Sequence, residues 1–104
     1  MATYIILFQW TQQGVQTIKQ SPTRLDMFKE LHESMGAELK AFYMTMGKYD
    51  GVMITEAPDR DTVAQIALAL ATKGNVRTEI WSAFTEDEYR TLIGALPTTS
   101  RRID

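Results

Sequence analysis

Hydrophobic residues recur along the chain with two spacings, and the changes of spacing predict the order of its elements. Residues 4–10 and 52–55 are apolar on both alternating faces, which is typical of strands that are covered on both sides. Helical spacing begins after Ser21-Pro22, a serine N-cap followed by a proline at the first helical position, and again after Asp59. The predicted elements are strands at 4–10, 38–46, 52–55 and 76–84, helices at 22–35, 60–73 and 86–96, and a short helical turn within 11–20.

This order of elements predicts an α+β protein with the ferredoxin-like βαββαβ fold. In that fold a four-stranded antiparallel sheet carries both helices on one face, and the first and third strands are central. The two strands that are apolar on both sides occupy those central places. We expect a single domain at residues 1–97 and a flexible C-terminal tail at residues 98–104.

The second face of the predicted sheet has no helix to cover it. Alternation in the last strand places Val76, Ile80 and Phe84 towards the helices, and Arg77, Glu79 and Trp81 on the uncovered face. In the second strand it places Leu39, Ala41 and Tyr43 on one face and Phe42, Met44 and Met46 on the other. An exposed apolar face of this size is typical of a partner surface. A second copy is the simplest partner, so we expect a dimeric α+β barrel, alone or in multiples.

Composition narrows the class of protein. The 104 residues carry a formal net charge of −2, so nothing indicates a nucleic-acid partner. No apolar run approaches the length of a membrane span, and we expect a cytoplasmic protein without a membrane partner. The chain has no cysteine and one histidine, so we expect no metal site. We also expect no cofactor, since the chain has no glycine-rich phosphate loop.

Several separated motifs give the chain a family resemblance. It resembles the GYD-domain family from about residue 4 to residue 85, with Lys48 inserted between Gly47 and Tyr49-Asp50 in a spaced form of the tripeptide that names the family. The motifs are Gly14, Ser21-Pro22 with Arg24, Gly36, Gly47 with Tyr49-Asp50, Glu56-Ala57-Pro58-Asp59, residues 74–79 and Ala83-Phe84-Thr85. The resemblance implies a ferredoxin-like fold and self-association, and it supplies no reaction.

Tyr49 and Asp50 have two interpretations. In the first, Tyr49 donates a proton or binds a ligand, Asp50 acts as a base or an anchor, and Lys48 lowers the pKa of the tyrosine. In the second, Tyr49 is a partly buried aromatic residue and Asp50 forms the turn between two strands by binding local backbone amides. His32, at the edge of an apolar helical stripe, is either a proton shuttle or a core residue satisfied by one hydrogen bond.

The remaining candidates are cationic, acidic and aromatic groups that could bind a ligand or a partner. Arg77, Glu79 and Trp81 either hold an anionic ligand or form a polar seam that sets the register of a dimer. Arg24 lies in the first turn of a helix, where a cation is slightly unfavourable. Its match to the family makes it a candidate for anion binding or for a salt bridge.

Two hypotheses about function follow. The first is a self-associating module that is not an enzyme and that could hold a small organic ligand between its sheet faces. The second is a cofactor-independent enzyme that acts on a small organic substrate and uses His32, Tyr49 and Asp50 for proton transfer. The sequence favours the first, and leaves open whether the protein has a reaction.

Overall fold

A computed structural model describes residues 1–98 of the chain. Its elements are β1 (Ala2–Trp10), α1 (Gln12–Gln16), a 3-10 turn (Ile18–Gln20), α2 (Ser21–Ser34), β2 (Glu38–Met44), β3 (Gly51–Ala57), α3 (Arg60–Ala71), β4 (Val76–Ala83) and α4 (Glu86–Gly94). The strands form one antiparallel sheet in the order β2-β3-β1-β4. The predicted α+β, ferredoxin-like order with β1 and β3 at the centre is confirmed. Residues 99–104 of the predicted tail lie outside the described residues.

The hydrophobic core lies between one face of the sheet and helices α2 and α3. Alternate residues of β1 point into it, and Ile6 is fully buried at its centre. Helix α2 contributes Phe28, and α3 contributes Val63 and Ile66. Burying an aliphatic side chain of this size stabilises the fold by about 1.5–3 kcal/mol. The helices are therefore held to one face, which leaves the other face of the sheet open.

The start of α2 differs from the prediction, while the start of α3 agrees with it. Asp59 caps α3, since its Oδ1 accepts hydrogen bonds from the Thr62 amide at 2.8 Å and the Thr62 hydroxyl at 2.7 Å. These bonds lower the pKa of Asp59. Ser21, the predicted N-cap of α2, is instead the first helical residue, and Gln20 precedes it without a side-chain cap. The reason is the 3-10 turn, whose Ile18 carbonyl already accepts the Ser21 amide.

A β-bulge in β2 overturns the predicted faces of that strand. The register shifts between Leu39, opposite Thr55, and Ala41, opposite Ile54. Lys40 is the extra residue, so Leu39 and Phe42 both pack against the core although they are three apart. The strand also ends at Met44 rather than at residue 46.

Gly51, the first residue of β3, is required by the packing of β1. A Cβ atom added there would lie 2.1 Å from Cε2 of the Phe8 ring and 2.9 Å from the Tyr43 carbonyl oxygen. The Phe8 ring therefore covers the glycine, and it also stacks on Phe42 with centroids 5.8 Å apart. No larger residue fits at this position without moving the core.

Candidate functional site

The open face of the sheet is apolar at its centre. Ile5 and Leu7 of β1 lie beside Val52 and Ile54 of β3, and all four are partly exposed. Across β1, Trp81 of β4 lies opposite Ile5 and is 48% exposed. Helices α2 and α3 pack on the other face, so the described residues leave this apolar surface without a cover. We call these five residues the open-face patch.

A polar cluster lies on this same face, and it unites four of the predicted site residues. The Tyr49 hydroxyl donates to Glu79 Oε1 at 2.9 Å, and the Trp81 indole nitrogen donates to Glu79 Oε2. Arg77 lines a shallow cleft of about 200 Å³ with Tyr49 and Glu79. Because β1 lies between β3 and β4, the Tyr49 side chain crosses the central strand to reach its partner. Sequence reasoning missed the Tyr49–Glu79 pair, since the two residues are 30 positions apart.

The charges in this cluster differ from the expectation for Tyr49. The prediction that Lys48 lowers the pKa of the tyrosine is wrong, although its ammonium lies 5.6 Å from the centroid of the ring. The hydrogen bond to the Glu79 carboxylate instead raises the pKa of Tyr49. The hydrogen bonds from Trp81 and then from Tyr49 lower the pKa of Glu79. At neutral pH the cluster is therefore a protonated phenol bound to an ionised carboxylate, which suits positioning better than proton release.

Asp50 points away from this cluster. Its Oδ2 accepts the Trp10 amide at 2.8 Å, and its own amide donates to the Phe8 carbonyl at 2.8 Å. The carboxylate thus satisfies a backbone donor at the end of β1, 40 residues away in sequence. The turn interpretation expected Asp50 to bind local backbone amides, whereas the amide that it binds belongs to the distant strand β1.

His32 lies on the opposite side of the sheet from the Tyr49 hydroxyl. It is fully buried, with Nδ1 2.9 Å from the Phe28 carbonyl oxygen and Nε2 3.0 Å from the Thr55 hydroxyl. A carbonyl can only accept, so we assign the proton to Nδ1, and Nε2 accepts from Thr55. Burial lowers the pKa of His32. The structure does not bring His32 together with Tyr49 and Asp50.

Arg24 lines a second cavity, of about 680 Å³, on the helix side of the sheet. Its Nη1 donates to the Thr17 hydroxyl at 3.0 Å, while its Nη2 is buried and has no hydrogen-bond partner within residues 1–98. Sequence reasoning placed a ligand between two sheet faces, and it had no signal for a cavity on this side. Arg24 and the cluster around Glu79 lie on opposite sides of the sheet, because α2 packs on the face that carries the core.

Helix α4 is amphipathic but covers nothing in the described chain. Thr85 and Glu88 form a reciprocal capping box at its start, as the sequence predicts for Thr85. Its apolar stripe of Tyr89, Leu92 and Ile93 is about half exposed, and the helix has no buried residue. A helix of nine residues is marginal in water without a surface to pack on.

Neither a metal cluster nor a membrane-spanning helix is found among the described residues. No group of three His, Asp or Glu side chains within residues 1–98 converges as metal ligands would. Over the same residues, no helix is both long enough and apolar enough to cross a membrane.

The comparison with known families is decisive for the classification. The family model described as the GYD domain matches residues 4–93. The chain belongs to the GYD domain family. Over 79 residues it is 38% identical to a Thermus thermophilus protein named "Glutamine synthetase and cystathionine beta-lyase binding protein", covering 75% of this chain and 83% of that one.

A solved structure agrees with this GYD domain in fold. The crystal structure of TTHA0845 from Thermus thermophilus matches with a TM-score of 0.52 and 21% identity, over 82% of this chain and 95% of that one. In this GYD domain the side chains of the two residues after Lys48 bind different parts of the fold. Tyr49 crosses the open face, and Asp50 holds the end of β1.

Proposed function

We propose that this GYD domain is a protein-binding module that is not an enzyme, and that its first partner is a second copy bound through the open face of the sheet. The observation that carries the proposal is the open-face patch. Its aliphatic centre is bordered on the β4 side by Trp81 and by the polar side chains of Arg77 and Glu79. An apolar centre with a polar border is typical of protein interfaces. Water contact with such a surface is unfavourable by roughly 25 cal/mol per Å².

The polar cluster gives the proposed interface a fixed register. Glu79 already holds Tyr49 and Trp81 in place, so little side-chain entropy is lost when a partner binds. The Arg77 side chain lines the same cleft and has no ion-pair or hydrogen-bond partner within residues 1–98. A carboxylate of the second copy would supply that partner.

Helix α4 is the second element of the proposed contact. Its exposed stripe needs an apolar surface, and the open face of a second copy offers one. Its first turn carries Glu86, Asp87 and Glu88, while the cationic Lys48 and Arg77 lie by the cleft of the open face. Opposite charges on the two surfaces favour their association.

The name of the Thermus relative supports a binding role. That protein is named for binding two enzymes, and a similar role here would use the surfaces of the assembled dimer. The alternative of a cofactor-independent enzyme would require His32, Tyr49 and Asp50 to meet at one substrate. The sheet separates His32 from Tyr49, and no observation favours this alternative.

Sedimentation velocity of wild type and of two variants tests the proposal. Ile54→Lys places a charge in the open-face patch, and burying it unpaired costs several kcal/mol. We expect the dimer constant of this variant to weaken by at least about a hundredfold. Leu68→Lys is the matched control, since Leu68 is 66% exposed on α3 on the other side of the molecule.

A wild-type protein that stays a monomer at about 100 μM would refute the proposal. So would an Ile54→Lys variant that dimerises as tightly as the control. Circular dichroism of both variants checks that each is folded before the comparison is made.

A further inference from the structure

The cavity on the helix side of the sheet has the features of a small-molecule site. Its floor is aromatic: Phe8 stacks on Phe42 and meets Trp10 edge to face, each pair with centroids 5.8 Å apart. Its walls are the apolar side chains of α2 and of the last turn of α3, among them Leu25 and Leu70. Its volume of about 680 Å³ falls within the usual range of ligand pockets, about 300–1,000 Å³.

Arg24 is the polar group for which the fold of residues 1–98 offers no adequate partner. Thr17 holds Nη1 at 3.0 Å and so fixes the guanidinium at the cavity wall. The buried Nη2 has lost its water without gaining an acceptor, which is costly for a charged donor. The position in the first turn of α2 does not favour a cation either. A turn of the guanidinium towards the cavity would let an acceptor from outside the chain satisfy this nitrogen.

The charges around the cavity select the sign of that acceptor. Among the described lining residues the charged side chains are Arg24 and Lys73, both cations, and none is acidic. A carboxylate matches a guanidinium in charge and in geometry. A dianion such as phosphate would need several more donors than this mainly apolar lining provides.

We propose that this cavity binds a monocarboxylate with an apolar body, whose carboxylate pairs with the Arg24 guanidinium at the cavity wall. The aliphatic or aromatic body lies on the floor formed by Phe8, Trp10 and Phe42. This site goes beyond the protein-binding role and does not depend on it, because the cavity and the open-face patch lie on opposite faces of the sheet.

Calorimetric titration with decanoate and with 1-naphthoate tests the proposal and separates fatty from aromatic carboxylates. Decyltrimethylammonium has the same alkyl body as decanoate with the opposite charge, and we expect it not to bind. Amide NMR shifts locate the bound probe, and we expect them in α2 and in the last turn of α3 rather than at Glu79 and Trp81 of the open face. Binding of neither carboxylate, which is also the result if a partner chain fills the cavity, overturns the proposal. Equal binding of the cation overturns it as well.

Two variants separate the charge of the site from its shape. Arg24→Met keeps the length of the side chain and removes the guanidinium, and we expect carboxylate affinity to fall about tenfold or more. Ala69→Trp fills the cavity and should abolish binding with Arg24 in place. Arg60→Met, the same change at an exposed surface cation, is the control and should bind as wild type does.

The stability of the ligand-free variant distinguishes a binding role from a structural one. Removing a guanidinium whose Nη2 is buried without an acceptor should leave the Tm of Arg24→Met equal to or above that of wild type. A lower Tm would assign Arg24 to the support of the fold through Thr17, and unchanged carboxylate affinity would overturn its assignment. Ile54→Lys should still bind the carboxylate, so failure of this site and failure of the dimer are distinguishable.

Discussion

Mild acid is expected to destabilise the fold through His32, the one histidine of the chain. The imidazole is fully buried between α2 and β3, where it donates to Phe28 and accepts from Thr55. Burial lowers the pKa of His32 from its ordinary value of 6.5. As the pH falls through about 6.5, the unfolded chain therefore takes up a proton before the folded chain does. The stability that the neutral histidine gives is complete above about pH 6.5 and is lost below it.

Because a single group titrates, the loss of stability has an upper bound. The free energy of unfolding cannot fall by more than about 1.4 kcal/mol per pH unit. Between pH 6.5 and 5.5 the bound is about 1 kcal/mol, because half of the unfolded histidines are already protonated at the upper limit. Urea denaturation at about pH 7.5, 6.5 and 5.5, at one protein concentration, measures it. Fixed concentration is needed because association would also stabilise the folded state.

Two variants test whether His32 is the group responsible. His32→Leu should remove the decrease between about pH 6.5 and 5.5, whatever its overall stability. Thr55→Val should destabilise the protein at neutral pH by about 1–3 kcal/mol, since it leaves the buried Nε2 without a donor. The reasoning fails if wild type is equally stable at the two ends of the pH series, or if His32→Leu loses stability as steeply as wild type.

Two further changes test the packing at the start of β3 and the cluster on the open face. Gly51→Ala should lower the free energy of unfolding by about 1–3 kcal/mol in urea, since its Cβ would overlap the Phe8 ring; an unchanged midpoint would show that the ring moves freely. Tyr49→Phe should raise the pKa of Glu79 by removing one of its two donors, as followed by NMR of the carboxyl carbon, and an unchanged pKa would contradict the hydrogen bond.

The sequence predicted the order of elements well because each depends on local spacing. Strict alternation also placed Arg77, Glu79 and Trp81 together on one side of β4, for the same reason. The bulge at Lys40 could not be predicted, because an extra residue changes the faces of β2 without changing its β-forming composition. The Arg24 cavity was also out of reach, since it is formed by elements far apart in the chain.

The segment Gly47-Lys48-Tyr49-Asp50-Gly51 leads from β2 into β3 and also holds the end of β1. β1 continues past its last pair with β3, so the Trp10 amide would have no partner in that ladder, and the Asp50 carboxylate supplies one. Gly51 leaves room for the Phe8 ring directly beneath. Tyr49 is then free to turn to the other face and reach Glu79 on β4. One short segment therefore closes the core side of the sheet and orders its open face, and this dual role accounts for Tyr49, Asp50 and Gly51.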